Sequence, residues 1–151
     1  MKKASFHNLV SSTFLVATLW LGGLVFISSA VAAESAEAKI AIPATSDAIW
    51  QSIDKETEQL GMLIESNKLG EVHHHAFAIR DLVAALPARS GALGADKLAA
   101  VKANGKFVAA LAERLDATGD AKDKAGTESN FQKLKGVLKT IRSNYAGAGQ
   151  R

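Results

Sequence analysis

The stretch TESNFQKLKGVLKTIRSNY, residues 127–145, decides the fold. Within it Thr127, Phe131, Leu134, Leu138, Ile141 and Tyr145 recur at alternating intervals of four and three. At about 100° per residue those intervals put all six side chains on one stripe of an α-helix. A helix with one such stripe has to bury it against other helices or a sheet.

Three more segments of the same kind precede it. From about Ala95 to Ala117, Leu98, Val101, Val108, Leu111, Ala112 and Leu115 form a stripe that Asn104 and Gly105 interrupt. Gly119 reads as the residue just past that helix, Asp120 as the cap of the fourth, and Asp123 as an acid suited to a positive helix start. From about Gly70 to Leu86 the stripe is Val72, His75, Ile79, Leu82 and Leu86. Pro87 then pushes its predecessor out of helical geometry and opens the longest internal loop, through Gly94. In the first segment Thr45 or Ser46 offers an N-cap, and Trp50, Ile53, Thr57, Leu60 and Ile64 follow until Asn67 and Gly70 break the pattern.

Four amphipathic segments, short turns and no strand-like alternation predict an all-α, antiparallel up-down-up-down four-helix bundle over residues 45–146. Charge agrees. The first segment (46–67) has five acids against Lys55, and the fourth (121–145) has six bases against Asp123 and Glu128. Such a bundle makes them neighbours. Exposed pairs contribute only about 0–1 kcal/mol each, so the basic stripe reads as a solvated face and not as a nucleic-acid signal. Gly61, Gly105, Gly126 and Gly136 each cost roughly 1 kcal/mol relative to Ala inside a helix and suggest close helix approach.

The N-terminal 33 residues differ in character. Lys2 and Lys3 precede an uncharged run from Phe14 to Ile27, and the small residues Ser28, Ser29, Ala30, Ala32 and Ala33 follow. This order predicts a cleaved secretory signal over 1–33, with an uncleaved anchor as the alternative. Either reading places the remainder outside the cytoplasm, in the periplasm of a bacterium, and cleavage leaves no stable membrane anchor. Residues 34–44 read as a flexible leader and 147–151 as a frayed tail. Removal of the signal leaves 118 residues with 16 basic and 15 acidic side chains, so no global charge favours nucleic acid. The absence of cysteine excludes a disulfide scaffold, thiolate zinc or iron–sulfur sites and c-type haem attachment.

One local cluster carries chemistry. His73, His74 and His75 are consecutive and, on a helix, point about 100° apart. His75 belongs to the apolar stripe, and Glu71 precedes His74 and His75 by one turn. If the first turn centres near Lys68, antiparallel pairing sets His75 opposite Met62 and Val72 opposite Glu65. Imidazoles, carboxylates and a thioether at one end of the bundle suit copper, zinc or nickel, the thioether favouring Cu(I). The candidate metal ligands are thus His73, His74, His75, Met62, Glu65 and Glu71.

The segment from Val72 to Leu82, the short stretch Ala95 to Leu98, the stretch Ala112 to Ala117, and the run from Leu134 to Tyr145 are similar to a small exported bacterial four-helix-bundle family associated with heavy-metal efflux systems. The resemblance covers roughly residues 45–146. It implies periplasmic metal handling or sensing, with a metal ion and a metal-efflux or other envelope protein as partners. His73 is the motif position that carries over; Arg80 and Asp81 match as a pair without a transferable role. The bundle also resembles that of the soluble b-type cytochromes, whose haem is held by a Met early in helix 1 and a His in helix 4. Here Met62 lies late in the first segment and the fourth has no His, so no haem is expected. No nucleophile triad, phosphate loop or catalytic carboxylate pair emerges, so an enzyme is not expected. The alternative function is a non-catalytic structural or adaptor bundle docking an envelope partner.

Overall fold

The first helix begins where its cap requires. The Thr45 hydroxyl accepts a hydrogen bond from the Ala48 N–H at 3.2 Å, and α1 runs Ser46–Glu65. A 3₁₀ turn, Leu69–Glu71, leads into α2, Val72–Ala85. A second 3₁₀ turn, Leu86–Arg89, opens the loop to α3, Ala95–Asp120, and α4 spans Lys124–Ser143. The computed structural model describes residues 40–146. The signal over 1–33, most of the leader and the tail over 147–151 lie outside them. Among the described residues no helix is long and apolar enough to cross a membrane.

Each helix packs antiparallel on the next, giving a four-helix bundle. The seams α1–α2, α2–α3 and α3–α4 are tight, whereas α1 and α4 approach each other less closely. Ile49, Ile53, Leu60, Ile79, Leu82, Leu86, Leu115, Leu134 and Ile141 are its largest fully buried side chains. The predicted stripe of α4 is buried from Thr127 to Ile141. In α2 the stripe departs from expectation, since Ala76 is buried and His75 is half-exposed. A methyl group lets α2 lie close in the core, whereas an unpaired imidazole there would carry a desolvation cost. Ile40 packs against the core, so the end of the expected leader is anchored.

Two reversals of the chain use the same device. Asn67, at φ 60°, and Lys122, at φ 57°, adopt the left-handed conformation just past α1 and α3. Around the first, the Asn67 N–H bonds to the Ile64 carbonyl at 3.1 Å and the Lys68 N–H to the Leu63 carbonyl at 2.8 Å. Around the second, the Lys122 N–H bonds to the Gly119 carbonyl at 3.0 Å and the Asp123 N–H to the Thr118 carbonyl at 2.9 Å. These paired bonds make a Schellman motif at each end, satisfying carbonyls that the helix leaves without donors.

The second motif moves the expected boundary. Gly119 does not stop α3; it lies inside it, and Asp120 ends the helix instead of capping α4. Asp123 is that cap, accepting from the Gly126 N–H at 2.9 Å. Gly119 serves packing. A Cβ at this position would stand 2.5 Å from the Leu69 carbonyl oxygen and 2.6 Å from Val72 Cγ2. Lack of a side chain thus lets the entry to α2 rest directly on the last turn of α3.

The opposite end is tied by aromatic and polar contacts. Trp50 and Tyr145 meet edge to face with centroids 5.5 Å apart. The Arg142 guanidinium lies 4.4 Å from the Trp50 ring and bonds to Asp54 at 2.6 Å. Ser90 donates to the Leu86 carbonyl at 2.6 Å and meets the Tyr145 hydroxyl at 2.8 Å, joining the α2–α3 loop to the end of α4.

Two outcomes follow from these contacts. Gly119→Ala forces backbone apart and is expected to lower stability by about 1–3 kcal/mol in urea denaturation; an unchanged midpoint would contradict the packing role. Burial raises the Tyr145 hydroxyl above its ordinary 10.0, with the Ser90 contact pulling the other way. The fold therefore favours the neutral phenol. That contribution is complete below about pH 10 and is lost as pH rises from the unfolded value through the higher folded one. The parent chain should lose more stability than Tyr145→Phe between about pH 9 and pH 11, measured by denaturation at each pH.

Candidate metal centre

Three uncommitted donors meet where α2 begins and α3 ends. One ring nitrogen of His73 and one carboxylate oxygen each of Asp116 and Asp120 all lie within 4.8 Å of one another. They are the one set of three His, Asp or Glu side chains brought together this closely among the described residues. Asp116 and Asp120 are four apart on α3 and share a face. Asp120 is exposed, and the other two are half-buried.

The backbone explains the meeting. Gly119 lies between the two aspartates and receives Leu69 and Val72 at contact distance. His73 directly follows Val72, so the packing that seats Val72 also delivers the imidazole to the carboxylates. Neither aspartate has an ion pair or hydrogen bond with another described side chain. His73 has one ring partner, His74, with centroids 3.8 Å apart.

The base closest along the chain to this end of α3 is Lys122, just past the helix, whose ammonium lies beside Gly70. The last turn of α3 contains no basic residue. Two carboxylates there face the negative end of the helix dipole, where acids are disfavoured by some tenths of a kcal/mol each. A divalent ion would offset both. Metal bonds of about 2.1 Å require donors roughly 3.0–3.4 Å apart. Closure from the present spacing asks for side-chain adjustments of roughly 1 Å, within the freedom of surface rotamers.

The other expected ligands go elsewhere. His75 Nδ1 bonds to Glu56 Oε2 at 2.6 Å, across the α1–α2 seam. The register is therefore not the one that sets His75 beside Met62. Glu56 lies six positions closer to the start of α1 than Met62. The Schellman motif at Asn67 completes the reversal early, and the 3₁₀ turn already runs back along the bundle with Leu69 buried. Met62 is 46% exposed. Glu65 borders the α1–α4 cleft, the seam opposite the one that holds His73. Glu71 is exposed at the start of α2, and its side chain caps nothing. His74 is exposed against His73. His73 alone among the six enters a group of three.

Arg80 and Asp81 form a surface ion pair at 2.8 Å, with Arg80 also 3.6 Å from Glu113 and stacked over Phe77. Asp120 reads as a helix cap in the sequence because it follows a glycine, and Asp116, inside the third helix, carries no signal on its own. Together they make a pair of acids one turn apart at a helix C-terminus, with no base in that last turn. No protein-family model, no curated protein and no solved structure matches this chain.

Proposed function

We propose that the protein binds one borderline divalent metal ion through His73, Asp116 and Asp120 and holds it for exchange in the cell envelope. The observation that carries the reading is the meeting of an imidazole and two carboxylates from different helices, with no ion pair or hydrogen bond to either acid from another side chain among the described residues. A nitrogen and two oxygens suit Zn²⁺, Ni²⁺ or Cu²⁺. The set contains no thioether, so the sulfur-based preference for Cu(I) loses its basis. Two carboxylates neutralise the ion's charge. The exposed edge at Asp120 leaves further coordination positions open to water or to a partner's ligand, which suits buffering or delivery better than a closed structural site. The bundle core is apolar and continuous without any ion. The export signal read over residues 1–33 supports the envelope setting.

Calorimetric titration of the full chain with Zn²⁺, Ni²⁺ and Cu²⁺ tests the reading. One ion per chain is expected, with roughly tenfold or greater loss of affinity in His73→Ala and in Asp116→Asn/Asp120→Asn. His75→Ala should bind as the parent does. At a hundred times Kd the ion should stabilise the fold by about 2.7 kcal/mol. Binding that survives loss of both aspartates would overturn the assignment.

A further inference from the structure

The loose seam between α1 and α4 holds a second, unrelated site. Near the Tyr145 end it opens into a cleft of about 240 Å³. Its apolar floor is Trp50, Ile53 and Leu138, and its α4 wall carries Lys135, Lys139 and Arg142. Arg142 is matched by Asp54. Lys135 leans on the Phe131 ring, 4.8 Å away, with no carboxylate partner, and Lys139 has no polar or charged partner among the described residues. The cleft therefore combines an apolar base with two uncompensated ammonium groups. Trp50 is 8% exposed, and its Nε1–H is buried without an acceptor among the described residues.

Size and charge define the occupant. At about 240 Å³ the cleft lies below the usual range for drug-sized ligands and is far too small for a helix. The neighbouring cleft of about 470 Å³ on the same seam is bordered by Glu65 and Glu128 as well as Lys135, so it lacks the positive excess. We infer that the Trp50 cleft binds a small organic carboxylate, one apolar ring or short chain bearing a single anionic head. The ring or chain covers Trp50 and Leu138, and the carboxylate sits between Lys135 and Lys139. This site lies on the opposite side of the bundle from His73 and does not rest on metal binding.

Benzoate, with benzyl alcohol as its neutral counterpart, is the probe. In the ¹⁵N-labelled full chain carrying Trp20→Phe, Trp50 supplies the one indole N–H resonance. Benzoate is expected to shift it saturably, and benzyl alcohol to bind about tenfold or more weakly. Lys139 is exposed and has no partner among the described residues, so Lys139→Gln leaves the fold intact while weakening benzoate several-fold and leaving benzyl alcohol unchanged. An indole resonance that benzoate does not move, equal affinity for the alcohol, or benzoate binding indifferent to Lys139→Gln would each overturn the inference.

Discussion

Contact between the backbone at Leu69 and the bare Cα of Gly119 sets the geometry of one whole end of the molecule. With a carbonyl oxygen 2.5 Å from where a Cβ would stand, any side chain at this position separates the start of α2 from the end of α3. Val72 becomes fully buried through that approach, and His73 is carried to Asp116 and Asp120 as a by-product of core packing. The candidate centre is thus not built on a mobile loop. It hangs from two helices whose spacing the core fixes, the arrangement that holds ligands most accurately.

Much of this architecture is legible in the chain. Alternation of three and four gave each helix its buried side, because periodicity depends on geometry that every helix shares. Thr45 was recognisable as a cap because its hydroxyl is followed at once by helical spacing. Legibility fails where one residue type has two uses. Gly119 near a helix end suggested a stop, yet its value lies in close approach three residues before the left-handed corner. That corner is filled by Lys122, whose side chain gives no hint of positive φ. In α2, a stripe drawn through His75 or through Ala76 fits the spacing almost equally well, and only the desolvation of imidazole decides between them. Met62 and Glu65 join the expected ligands only through their distance from a turn whose centre is placed too late, so one register error displaces both.

The charge asymmetry between the first and last helices also resolves into something more local than its net values suggest. A single direct bridge, Asp54 to Arg142, joins them. Of the other bases on α4, Lys124 pairs with Glu128 on its own helix, Lys135 stacks on a ring, and Lys139 has no partner among the described residues. Opposite overall signs favour the arrangement at long range, but the seam remains the least filled of the four, and the positive excess concentrates beside Trp50. Meanwhile His75 and Glu56, on the other side of α1, are hydrogen-bonded to each other in a half-buried pair. Similar residues therefore differ in what they can do: one imidazole is committed to a carboxylate, whereas another, two positions away, retains its donor capacity.

The two left-handed corners have a kinetic consequence. Each joins neighbouring helices within a few residues, so the α1–α2 and α3–α4 hairpins close over short loops at little entropic cost. Joining α1 to α4 requires residues 88 positions apart, as in the Asp54–Arg142 bridge, to find each other. A chain dominated by such local pairings belongs among the rapid folders, and its slowest association is expected to be the last seam, whose incomplete filling leaves the least to hold it shut.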